Sequence, residues 1–493
     1  MGKLIFAVLL GAGSGLGAEE NRASGLEYRP PLIQQSQLAN GLKLALVESR
    51  RVALVQFHML FPFAGAVSDP QGKESLASFA AAMLAEGSVE RDGDELFRAA
   101  ARLGTDILVK ALVDAVEVKF LVAKERFDEA MALAAEIVQR PAFPGQSLER
   151  LKQSTFAAIK QSSSDPKALA SQRLMERIYS SHPLSRRATE ESVKAIETSD
   201  LRAFHAQRIF PRGAVIAVTG DIAMSELEAM AGKHWGGWAA NSGPIASVAS
   251  PPDPRSVAVQ SGGLVIELID VPAPPERPSD RLQAILRIGQ LALPRNHPDW
   301  APFLLMNEIL GGGEEGRLEK NIRQANGWTY GAYSGVSASK TAGHIAVRTD
   351  VQADKAGSAV IEVLRELRRL REQPVTPQEL DIAKRQLSVG FLMGQQKIQN
   401  INARLALMEL YGLPSDDMST YRDRIMAVTE ADIQRVARFV LHPEAVRVVV
   451  AGDAFRRYKD APSVLEQLQA IGPVRLLDAE GRERTPAEPA HFF

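Results

Sequence analysis

Ala214-Val-Ile-Ala-Val-Thr-Gly-Asp221 and Val446-Arg-Val-Val-Val-Ala-Gly-Asp453 lie 232 positions apart and read alike, each a β-branched run that stops at Gly-Asp. β-Branched side chains suit a pleated, buried strand, and Gly-Asp supplies the turn that ends it. At the same offset upstream, Ala195-Ile-Glu-Thr-Ser-Asp-Leu201 matches Ala427-Val-Thr-Glu-Ala-Asp-Ile433, and Pro211 matches Pro443. Each copy predicts a capped helix, a turn carrying proline and a strand. A period this long exceeds the ~20–50 residues of a solenoid unit and marks a duplicated domain.

Working outward from the two copies, the halves are expected at 25–235 and 257–472. A linker at 236–256 contains Asn241-Ser-Gly-Pro244 and Ser250-Pro-Pro-Asp-Pro254. Strand-like runs such as Leu42-Lys-Leu-Ala-Leu-Val47 and His344-Ile-Ala-Val-Arg348 mix with helical runs such as Phe127-Asp-Glu-Ala-Met-Ala-Leu-Ala-Ala-Glu-Ile-Val138. The absence of a strict βαβ rhythm predicts an α+β fold, with two homologous domains, each a mainly antiparallel sheet with helices on one face. Residues 473–493 read as a polar, frayed tail.

Composition narrows the function classes. Of 493 residues, 45% are apolar and 24% charged, which is ordinary globular usage. The formal net charge of -1 and the lack of any Lys/Arg run give nucleic acid nothing to bind. Residues 1–18 combine Lys3, the apolar run Leu4–Leu10 and small residues up to Ala18, the pattern of a signal peptide. Export, to a bacterial periplasm, is the expectation. With no cysteine there is no disulfide, thiolate metal ligand, nucleophilic thiol or lipidated thiol. No later stretch reaches the ~18–20 apolar residues of a membrane span, so no membrane anchor is expected.

Several landmarks, in order, resemble the pitrilysin/insulinase-type peptidases, whose short members include the mitochondrial processing peptidase subunits. They are Asn40-Gly-Leu-Lys43, Gly65-Ala-Val-Ser-Asp69, Ala142-Phe143, His182-Pro183, Leu310-Gly-Gly-Gly313, Gly316-Arg-Leu318 and the run from Arg323 to Tyr330. The resemblance implies two similar domains forming half of a clamshell chamber, and a zinc-dependent activity on peptides.

In active members a helix resembling G-L-A-H-F-L-E-H-M-L holds the metal. Two imidazoles four residues apart share one helical face and bind zinc, and the glutamate beside them takes a proton from the bound water. Here the segment is Ser75-Leu-Ala-Ser-Phe-Ala-Ala-Ala-Met-Leu84, with Ser78, Ala81 and Ala82 at those places. The helix that supplies the family's third ligand corresponds to Glu149–Ile159 and offers Ala157 or Ala158. No metal is therefore expected on this chain. The same segment also reads as a plain amphipathic helix with the stripe Leu76, Phe79, Ala80 and Met83. None of the eight histidines has another four residues away. His182 and His442, each before proline, read as turn residues, and His58 as a strand side chain.

The second half keeps Arg323 and Tyr330 seven apart, like the pair that active relatives carry in their zinc-free half. A guanidinium and a phenol can donate hydrogen bonds to a peptide carbonyl or its developing oxyanion. By resemblance these are the candidate catalytic groups, with Gly311, Gly312, Gly313 and Trp328 as candidate substrate-binding residues. The glycine run lacks the Lys-Ser/Thr of a phosphate loop and carries Glu314 and Glu315 instead. Trp328, Tyr330 and Ala332 are expected to alternate onto one strand face, where an extended peptide could add as a further strand; a core role for Trp328 is the structural alternative.

Two readings follow. In one, the chain is the metal-free subunit of a heterodimeric zinc metalloendopeptidase, and a homologous partner with H-x-x-E-H supplies zinc. In the other it is a non-catalytic peptide-binding or scaffold protein. A peptidase built on other residues finds no nucleophile motif in support.

Overall fold

Strand β3 (Leu54–Pro62) is buried at every position but its two ends, and β6 (Val215–Gly220) is buried throughout. Such unbroken burial requires cover on both faces of a sheet. The computed structural model describes residues 30–239, 264–272, 282–458 and 460–484, and shows what supplies that cover. The expected signal peptide and most of the linker, 240–256, lie outside the described residues. From Pro31 onward the chain is one compact unit.

The first sheet runs β1–β2–β6–β3–β5–β4, with β1 at Ile33–Gln37, β2 at Lys43–Glu48, β4 at Leu108–Ala111 and β5 at Ala115–Ala123. The second sheet runs β12–β7–β11–β8–β10–β9. Its strands are β7 (Val265–Asp270), β8 (Gln283–Ala292), β9 (Thr329–Ala338), β10 (Gly343–Gln352), β11 (Arg447–Gly452) and β12 (Val474–Leu477). Both sheets are mixed and mainly antiparallel, with β2–β6, β7–β11 and β7–β12 parallel. Strands β6 and β11 are related by the offset of 232 seen in the sequence, as are the helices Thr198–Arg208 and Glu430–Val440.

Two differences from the sequence expectation matter. Helices do not cover one face only. The helix Pro166–Tyr179, from the first half of the chain, lies on the second sheet, where Leu169, Ala170, Leu174 and Ile178 pack with Ile285, Val449 and Ala451. Its repeat counterpart, Ile398–Tyr411, lies on the first sheet, with Ile401, Leu405 and Met408 against Ala45, Leu60 and Ala217. The halves therefore exchange helices. Asn402 fixes one crossing by donating to the Ala217 carbonyl at 3.0 Å. Glu267 on β7, 1% exposed, fixes the other by accepting from Arg173 Nε at 2.6 Å and Arg177 Nε at 2.8 Å on the crossing helix. Burial alone would raise the Glu267 pKa, but the two guanidiniums hold it below the usual carboxylate value.

The second difference is the tail. Val474–Leu477 forms the edge strand β12, with Leu477 fully buried, and Arg484 pairs with Asp270 at 2.5 Å. The ordered second domain thus runs past 472 to at least Arg484. β12 occupies the place beside β7 that β1 occupies beside β2, but runs parallel to its neighbour where β1 is antiparallel. Among the described residues, no helix is long and apolar enough to cross a membrane.

Candidate functional site

The helix Leu76–Leu84 is the one the sequence resemblance aligns with the family's zinc-binding helix. Its start is set by Asp69, a buried carboxylate whose Oδ2 accepts from Ser75 N–H at 2.9 Å and Oδ1 from Ala77 N–H at 2.8 Å. Those are two of the amides a helix start leaves unpaired. Burial raises the Asp69 pKa to about 6 even though both amides lower it. Ser75 itself takes a left-handed conformation, φ 81°, which is costly for a residue with a Cβ.

Ser78 is exposed and Ala82 partly exposed, one helical turn apart, whereas Ala81 is 1% exposed and belongs to the apolar cluster of Phe79, Ala80 and Met83. Ala157 and Ala158 are exposed on the helix Gly145–Ser162. None of the five offers a metal donor beyond the Ser78 hydroxyl, a poor zinc ligand. Among the described residues no three His, Asp or Glu side chains cluster as a metal site would require. The residues present do not fit zinc. Glu86, beyond the helix end, pairs with Arg150 at 2.9 Å, and His182 accepts from Leu184 N–H in a turn. His58 lies in β3 beside Glu117, at 3.0 Å.

The other candidate residues sit on the second sheet. Helix Trp300–Asn307 continues through a π-type turn, Glu308–Gly312, and a second such turn spans Glu319–Ala325. π-Type turns are uncommon and gather at functional sites. Between them the glycines allow close approach. A Cβ at Gly311 would lie 2.8 Å from the Ser334 nitrogen of β9, and one at Gly316 would lie 2.6 Å from the Gly311 Cα. Gly311 is buried, so its part is packing rather than contact with a substrate; Gly312 is exposed and Gly313 half-buried. Arg317 clamps this loop through a fork-to-fork pair with Glu379, Nε–Oε1 2.6 Å and Nη2–Oε2 2.9 Å. Arg317 and the Thr376 amide overcome the effect of burial and bring the Glu379 pKa down to about 2.

Arg323 stands on the second π-type turn with 45% of its side chain exposed, and donates from Nη1 to Glu319 Oε1 at 2.5 Å. Tyr330 on β9 is 89% exposed. The expected alternation of Trp328, Tyr330 and Ala332 fails: Ala332 is fully buried and Trp328 packs on the second-half core. The reason is a bulge. Thr329 pairs with Val351 and Ala332 with Thr349, so β9 carries one residue more than β10 between those pairs and the side-chain order inverts. Threonine hydroxyls stitch the bulge: Thr329 Oγ1 accepts from Gly331 N–H at 3.1 Å, and Thr349 Oγ1 donates to the Gly331 carbonyl at 3.0 Å. The bulge leaves Tyr330 pointing outward, and the tyrosine whose charge Arg323 feels is Tyr333, three residues on.

Sequence reasoning missed Glu319 and Asp69. Glu319 was visible as the residue four before Arg323, the spacing of a helical ion pair. Asp69 stood inside a quoted landmark, but its acceptor role depends on a loop conformation that spacing does not reveal.

Comparison with known proteins agrees with the fold and with the family resemblance. Residues 58–191 match the insulinase domain of peptidase family M16, and residues 195–387 match the peptidase M16 inactive domain. A Helicobacter pylori protein described as the non-peptidase homologue YmxG is 25% identical over 443 residues, covering 88% of this chain and 94% of its own length. An uncharacterised zinc protease of Mycobacterium leprae is 25% identical over 286 residues, 57% of this chain and 61% of its own. The crystal structure of a peptidase M16 inactive domain from Pseudomonas fluorescens superposes with a TM-score of 0.77 at 27% identity, over 86% of this chain and 99% of that one.

Proposed function

Because the chain belongs to the M16 (insulinase) peptidase family, we propose that it is the metal-free subunit of an exported, heterodimeric zinc metalloendopeptidase that acts on peptides. What supports this reading is an asymmetry within one chain: Ser78, Ala81 and Ala82 stand where the family resemblance expects the metal set, while Arg323 and Tyr330 are exposed on the other half. In the assembly, a homologous partner carrying H-x-x-E-H holds zinc, and the two chains enclose the chamber. Arg323 and Tyr330 donate hydrogen bonds to the substrate carbonyl and to the oxyanion that develops from it. Gly312 and Gly313 line the approach, Trp328 backs it from the core, and an extended peptide lies along the outward residues of β9. Residues 1–18 direct export to the periplasm.

The description of the Helicobacter pylori relative as a non-peptidase homologue favours a second reading, a peptide-binding scaffold without hydrolysis. Purification of the tagged protein from its native cell, with identification of what co-elutes and a peptide-hydrolysis assay with and without chelator, separates the two. A co-eluting H-x-x-E-H chain, with chelator-sensitive activity that drops in Arg323→Ala or Tyr330→Phe, supports the split-site peptidase. Recovery without such a chain and without hydrolysis leaves the scaffold.

A further inference from the structure

The geometry points to Glu319 as the positioning residue that sets Arg323 and the Tyr330 bulge as one unit. This assignment rests on the reading of Arg323 and Tyr330 as a peptide-contacting pair. Glu319 is fully buried, and its carboxylate divides between two partners. Oε1 accepts from Arg323 Nη1 at 2.5 Å, and Oε2 accepts from the Ala332 N–H at 2.9 Å. Ala332 is the first paired residue after the bulge that carries Tyr330. One side chain therefore ties the helical turn bearing the guanidinium to the strand bearing the phenol.

The arrangement has a physical consequence. A long side chain loses rotamer freedom on binding, about 0.5–1.5 kcal/mol for each one immobilised. A guanidinium already held by Glu319 has lost most of that freedom before a peptide arrives. The Ala332 amide, facing a buried carboxylate, is also closed to an incoming strand, so the peptide must seat on the guanidinium and phenol at this end of β9.

The test uses the full chain and a fluorescein-labelled random-sequence peptide library, read by anisotropy. Glu319→Gln keeps an oxygen for the Ala332 amide but loses the charge that holds Arg323. It is expected to weaken binding about three- to tenfold, with Ala332 amide exchange unchanged. Because Glu319 acts through Arg323, the double variant Glu319→Gln/Arg323→Ala is expected to bind as Arg323→Ala alone does. Additive losses in the double variant, or a Glu319→Gln chain that binds like wild type while Arg323→Ala does not, overturn the assignment alone. No binding by the wild-type chain, or binding unmoved by both Arg323→Ala and Tyr330→Phe, overturns the peptide-site reading and the assignment with it.

Discussion

Restoring the family's metal residues is expected to fail in a graded way that the burial of the Leu76–Leu84 helix dictates. Ser78 is exposed and Ala82 partly exposed one turn apart, so Ser78→His/Ala82→His places two imidazoles on one accessible face at little cost. Zinc at a hundredfold excess over its dissociation constant then stabilises this variant by about 2.7 kcal/mol. Ala81 is different, at 1% exposure inside the apolar cluster. A glutamate forced into that site is held neutral, which at pH 7 costs about 1.4 kcal/mol per pH unit above its usual pKa of about 4.3, roughly 4 kcal/mol. Overpacking adds about 1–3 kcal/mol. The triple variant is thus expected to be about 5–7 kcal/mol less stable than wild type without metal, and less stable than wild type even when loaded. Chemical denaturation with and without zinc, together with calorimetric zinc titration, checks each step. A triple variant that unfolds at the wild-type denaturant midpoint without metal would refute the argument, because it would show that room for the glutamate persists beneath Ala81.

Two buried groups give opposite pH slopes to stability. Asp69 has its pKa raised to about 6 from 3.8, so the folded state holds its proton longer and stability falls as pH rises across that window, by up to about 3 kcal/mol. His344, bonded through Nδ1 to the Tyr179 hydroxyl at 2.8 Å, has its pKa lowered by burial to about 4 from 6.5, so stability rises with pH across its window by a similar amount. Denaturation at several pH values is expected to show a steeper rise toward pH 6.5 in Asp69→Asn and a fall in His344→Gln. Ser75→Gly, which relieves the left-handed conformation at φ 81°, is expected to stabilise by about 1 kcal/mol in the same assay. Glu267→Ala leaves Arg177 without this carboxylate, while Arg173 keeps Glu176 and Arg475 keeps Glu483, and is expected to cost about 1–3 kcal/mol.

What the sequence disclosed depended on whether the deciding physics was local. The offset of 232 could be read because β6 and β11 are both buried on two faces and need the same β-branched run. The family could be read because its landmarks, such as Gly65–Asp69 and Leu310–Gly313, are fixed local spacings. The destination of Pro166–Tyr179 could not: an apolar stripe shows that a helix will pack, not on which sheet. Val474-Arg-Leu-Leu477 was likewise too short, and too close to Glu480–Arg484, to look like a strand; the open edge of β7 makes it one. The alternation at Trp328–Ala332 failed because a single inserted residue inverts every side chain beyond it.

The helix exchange also makes each half depend on the other. The first half of the chain supplies the helix that covers the second sheet behind β8 and β11, where Leu174 and Ile178 fill the core. Removing the first half would uncover that face and leave Glu267 without its two crossing guanidiniums. The platform bearing Arg323 and Tyr330 therefore depends on the first half for its packing.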